Sequence, residues 1–152
     1  MTTALVGLLG VIAGVVLSGG VSAWLAHRAD KRNGRVAAMV IGATLAEVSF
    51  MISATLSSKS LGDHDEWGRL MEPWREHRSD LAKVAEWSQF RKVASAFMSF
   101  SAFIALHHSL AEQGGLVPGS PGQAQMEDTL QRCQAGIDAA RETLEQVEAA
   151  LA

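Results

Sequence analysis

Residues 4–26 read ALVGLLGVIAGVVLSGGVSAWLA, twenty-three residues without a charge. As a helix rising about 1.5 Å per residue, such a run covers roughly 34 Å, enough to cross a hydrocarbon core of about 30 Å. It predicts one transmembrane helix over 4–26, preceded by a short N-terminus at 1–3. A cleavable secretory signal is the competing reading. That would place basic residues ahead of an apolar core of about 7–15 residues and end on small residues. Ser22-Ala23 and Ala26 could serve as the small residues, but the run is too long and its basic cluster follows it.

The cluster, HRADKRNGR at 27–35, sets four Lys and Arg against one Asp. Basic residues beside a membrane segment stay on the cytoplasmic side. The N-terminus is therefore expected outside, residues 27–35 form a basic juxtamembrane segment, and 36–152 lie at the cytoplasmic face of the plasma membrane. Trp24, just ahead of the cluster, suits the headgroup layer, where an indole can keep its ring in lipid and its N–H wet. Trp24, Arg28, Lys31, Arg32 and Arg35 are the candidate membrane-interface residues, with anionic headgroups as their ligands at about 1 kcal/mol per basic side chain. Within the span, Gly10, Gly14, Ser18 and Ser22 recur every four residues, with Gly7 close by. Small residues at that spacing let two membrane helices pack closely, although Gly is also common in membrane helices for other reasons.

Beyond residue 35 the balance is acidic, nine Lys and Arg against fifteen Asp and Glu. This argues against nucleic acid, whose phosphates need a basic footprint. The single cysteine, Cys133, excludes an intrachain disulfide. At 152 residues the chain holds one domain plus its anchor.

Residues 36–58 (VAAMVIGATLAEVSFMISATLSS) carry one charge, Glu47. They could form a second crossing, but a central acid costs about 2.5–3.5 kcal/mol on insertion, and the Ser and Thr residues return nothing. Ala38, Ile41, Leu45, Val48, Ile52 and Thr55 follow the three-four spacing of a core helix. That helix either continues the anchor or bends at Asn33-Gly34. A turn is expected at 59–65, where Asp63 can cap, then short helices near 64–71 and 73–85, separated at Pro73. Trp67, Leu70, Trp74, Leu81 and Val84 are their apolar contacts. A long helix follows over 86–113, with a stripe of Trp87, Phe90, Ala94, Phe97, Ser101, Ile104 and His108, widened by Val93, Phe100, Phe103 and Leu110. Gly114-Gly115 ends it. Ser120, Pro121 and Gln123 announce the last helix. Its stripe is Met126, Leu130, Cys133, Ile137, Ala140, Leu144, Val147 and Leu151. Such a stripe packs inside a bundle or pairs with another chain as a coiled coil. The fold class is thus all-α: a single N-terminal transmembrane helix, then a small antiparallel bundle of three main helices and one or two short ones.

No residue pattern carries chemistry. His107 and His108 point about 100° apart on a helix and cannot share one ion. His64, within Asp63-His64-Asp65-Glu66, reads as a solvated turn, and His77 sits between arginines. Glu47 suits a buried ion pair with Arg69, Arg75 or Arg91, or with a partner chain. Cys133 on an apolar stripe behaves as a small hydrophobe. No catalytic, metal-ligating or cofactor-binding residue is assigned.

The Gly-rich apolar first helix, the Trp and Arg/Lys block at its end, and the segment holding Trp74, Arg75 and Arg78 resemble small single-pass membrane proteins of high-GC actinobacteria. The resemblance implies topology and no activity. The expected function is a non-enzymatic, membrane-tethered interaction or scaffold module that holds an unknown protein partner or copies of itself. A membrane-perturbing effector or small pore built on a 4–26 and 36–58 hairpin is the alternative. A sensor subunit is weaker, with only about three residues outside.

Overall fold

The computed structural model describes the backbone of residues 2–58, 64–112 and 120–152, and side chains over 21–58, 66–110, 112 and 120–152. Of the Asp63-His64-Asp65-Glu66 cluster only Glu66, which is exposed, lies within the described side chains. Among the described residues there is no strand, and five helices make up the chain: α1 (Thr2–Ser58), α2 (His64–Arg69), α3 (Glu72–Val84), α4 (Trp87–Glu112) and α5 (Pro121–Leu151).

No proline interrupts α1, and Asn33-Gly34 does not break it: the 57 residues form one helix, about 85 Å along its length. The reason lies in α3. Gly34 is buried, and a Cβ built there would fall 2.9 Å from Val84 Cβ and closer still to both of its methyl groups. The glycine is a notch that admits the end of α3, not a hinge. Beside it Lys83 Nζ reaches Asp30 at 3.6 Å and Asp80 at 2.9 Å. Packing against α1 thus starts inside the basic segment, a turn ahead of residue 36.

Below Gly34 the expected stripe of α1 is buried throughout, from Ala38 through Ile41, Leu45, Val48 and Ile52 to Thr55. Hydroxyls that land on the helix surface fold back onto it, as where Thr44 Oγ1 donates to the Val40 carbonyl at 2.9 Å. Helix α5 lies along this stripe. Its numbering falls as that of α1 rises, with Gly42 beside Leu144 and Glu148 and Ser49 Oγ accepting from Gln134 Nε2 at 2.6 Å. The α5 stripe from Met126 to Val147 is buried as spaced, with Leu151 half-buried at its end. Ser120 caps α5, accepting from the Gln123 N–H at 3.2 Å.

On the other side of α5 lies α4, where the Cys133 thiol donates to the Ser99 carbonyl at 3.3 Å. Here one expectation fails. The buried face of α4 is Val93, Ala96, Phe97, Phe100, Phe103 and His107. Trp87, Ser101 and His108, placed on the stripe by spacing, are exposed. The helix is turned by about one residue because it is apolar most of the way round, and its neighbours choose the face. Those neighbours are tryptophans. Trp67 of α2 meets Phe100 and Phe103 edge-on at 5.9 and 5.0 Å, and Trp74 of α3 stacks on Phe97 at 4.8 Å.

A Gly-to-Ala change inside a helix ordinarily gains about 1 kcal/mol of helix propensity. At Gly34 the new methyl overpacks Val84, so Gly34→Ala is expected to destabilise the protein by about 1–3 kcal/mol. Combining it with Val84→Ala should recover part of that loss in urea unfolding followed by circular dichroism. A stabilised single variant would mean that α3 does not dock in the notch.

Candidate membrane interface

The segment of α1 above the bundle leaves its apolar residues uncovered. Val21, Trp24 and Leu25 are all more than half exposed, Trp24 to 58%. Arg28, one turn on, lays its guanidinium over the Trp24 indole at 5.4 Å from the ring centroid. That geometry is a cation–π pair, and it places a charge beside the ring suited to the lipid boundary.

Arg28, Lys31, Arg32 and Arg35 are exposed as well. At about 100° per residue they fall within roughly 100° of one another around α1. The one acid in the segment, Asp30, points toward the bundle and is engaged by Lys83. Spacing had not indicated this. The result is a basic face undiluted by an acid, with like charges at i and i+4 that favour an external anion over each other. The Lys83 ammonium is held above its ordinary pKa by the hydrogen bond and charge of Asp80, and secondarily by Asp30. Its small contribution is fully present below the ordinary lysine range and fades as pH climbs past it. Being exposed, the pair adds little to stability. Of the small-residue stripe, Ser22 is exposed, while Gly10, Gly14 and Ser18 lie outside the described side chains.

The other singled-out residues do not converge. His107 is buried 6.1 Å from the Phe103 ring; its neighbour His108 is exposed and meets Glu112 at 3.2 Å. No group of three His, Cys, Asp or Glu side chains comes together among the described residues. Glu47, expected in a buried pair, is exposed and makes no ion pair among the described residues. It lies on the side of α1 away from the core stripe, where no arginine of α2, α3 or α4 reaches it. Burial pushes the Cys133 thiol from 9.0 up to about 11, which disfavours the thiolate that would act as nucleophile or ligand.

Among the described residues two helical segments are long and apolar enough to cross a membrane, Val21–Ser58 and Trp87–Leu110, though each is partly buried within the molecule. No family model, curated protein or solved structure matches the chain.

Between pH 9 and pH 11 the unfolded chain loses the Cys133 proton that the folded chain keeps, so this thiol's share of stability is complete below pH 9 and declines across that interval. Alkylation at pH 8 should be slow for the folded protein and rapid in denaturing urea. Equal rates in both would mean that the thiol is not shielded.

Proposed function

We propose that this chain is a non-enzymatic, membrane-anchored interaction module. A single transmembrane helix over 4–26 holds an antiparallel helical bundle, residues 36–152, at the cytoplasmic face of the plasma membrane, with the N-terminus outside. The observation that carries the reading is the way α1 leaves the bundle. It continues without a break past Gly34, presents a basic face, and then exposes Val21, Trp24 and Leu25. In water those side chains would be unsatisfied apolar surface; in a bilayer they sit at the boundary that aromatic and basic residues prefer. The opposed numbering of α1 against α5, and of α5 against α4 where Gly136 faces Ala96, supports the antiparallel arrangement.

A pore built on a hairpin of 4–26 and 36–58 has less support. It needs a reversal near Asn33-Gly34, where α1 is helical, and it would strip Ile41, Leu45 and Ile52 from their contacts in the bundle. Anionic headgroups are the proposed ligands of Arg28, Lys31, Arg32 and Arg35. The bundle's own task is to hold a partner chain.

Alkaline carbonate extraction of cells expressing the full-length protein tests the anchoring. The protein should stay in the pellet, and a variant lacking residues 1–26 should move to the supernatant. Protease added outside intact cells should leave the bundle untouched. Full-length protein in the carbonate supernatant, or external digestion of the bundle, would refute the reading. Charge reversal of Arg28 and Arg32 to Glu should weaken binding of the protein to vesicles containing phosphatidylserine. Two such side chains contribute about 2 kcal/mol, or on the order of thirtyfold.

A further inference from the structure

Four cations stand in a column on α1. Arg28, Lys31, Arg32 and Arg35 are spaced i, i+3, i+4 and i+7, so each is the helix neighbour of two others, at about 5–6 Å between Cβ atoms. All four are exposed, and none makes an ion pair among the described residues. Asp30 points away from them to Lys83. On α5, Glu145 and Glu148 stand beside Gly42, about 10 Å further along α1 than Arg35. The column runs along the helix axis rather than around it. Long side chains on a helix lean toward its N-terminus. Arg28 does so, with its guanidinium 5.4 Å from the centre of the Trp24 ring one turn back.

We infer that this column holds one lipid headgroup that carries a phosphomonoester beyond its phosphodiester, the chemistry of a phosphorylated inositol lipid. The inference deepens the membrane-interface reading and rests on it: with α1 anchored over 4–26, the column runs close to the membrane normal and Trp24 marks the hydrocarbon edge. The headgroup layer outside that edge is about 5–8 Å thick. Leaning back by a turn, Arg28 reaches the edge itself, Lys31 and Arg32 reach about 5–7 Å beyond it, and Arg35 about 11 Å. A headgroup whose only phosphate is the diester, such as phosphatidylserine, meets the first three and falls short of Arg35. Phosphatidic acid carries more charge, but at the same shallow depth. A second phosphate borne on a sugar ring stands further out, at the level of Arg35. It also brings the charge the column calls for. A phosphomonoester holds about −1.5 to −2 near pH 7 with three acceptor oxygens, and an arginine fork can take two of those at once. Neighbouring like charges on a helix repel. A headgroup charged at both ends relieves that repulsion along the whole column, whereas a single diester relieves it at one end.

Full-length protein in neutral detergent micelles doped with equal amounts of phosphatidylinositol 4-phosphate, phosphatidic acid and phosphatidylserine tests the assignment, with native mass spectrometry counting the lipid that stays bound. The phosphoinositide should be retained about tenfold over phosphatidylserine, and above phosphatidic acid as well. Arg35→Gln should remove most of that preference and leave phosphatidylserine retention unchanged. Arg28→Gln should lower retention of all three lipids. Arg78→Gln, at an exposed position of α3 off the column, should change none. Equal retention of the three lipids, phosphatidic acid held as well as the phosphoinositide, or a preference that survives Arg35→Gln would overturn the inference. Carbonate extraction of the membranes from which the protein is purified separates the two failures. Protein that stays in the pellet but shows no preference sinks only the headgroup assignment, whereas protein released to the supernatant sinks the anchoring.

Discussion

A helix that enters a protein core from an exposed segment has little freedom in how it passes between the two. In this chain α1 does so without a break, and the contact at the junction is the seating of Val84 against the bare backbone of Gly34. A side chain at that position would push α3 away. Asn-Gly without a neighbour would invite a turn. With α3 docked there, α1 stays helical through Asn33-Gly34.

The rest of the bundle is arranged around that rod. Helix α5 covers the inner stripe of α1 and in turn carries α4, so it is the central element although it comes last in sequence. Tryptophans on the short helices close the structure: Trp67 and Trp74 bring α2 and α3 onto the phenylalanines of α4, each pair adding about 0.5–1.5 kcal/mol beyond its burial. Among the described residues, polar contacts between helices include Gln134 to Ser49, Cys133 to Ser99 and Lys83 to Asp30. Such an interior favours a fixed shape. Among the described residues no three His, Cys, Asp or Glu side chains come together, and burial holds the Cys133 thiol in its neutral form.

Where reading the sequence went astray, the cause was the same each time. Helix α4 has apolar residues on nearly every side, so its period determines that it is buried but leaves open which face is innermost; Trp67 and Trp74 decide that from another part of the chain. Glu47 looked like a buried charge because its neighbours are apolar. Yet α1 is apolar on two sides, and Glu47 belongs to the outer one. Asp30 counted against the basic cluster in composition, but its direction around the helix and its lysine partner remove it from that face.

Local pattern by itself determined the helical class, the uncharged length of 4–26, the start of α5 at Ser120, and the buried stripes of α1 and α5, because each depends on residues within a few turns of one another. Tertiary structure alone decided that Asn33-Gly34 stays helical, that α5 lies between α1 and α4, and that Glu47 stands exposed on the side of α1 away from the core. Those facts depend on side chains distant in sequence meeting at one place, and periodicity along a single helix holds no information about its neighbours.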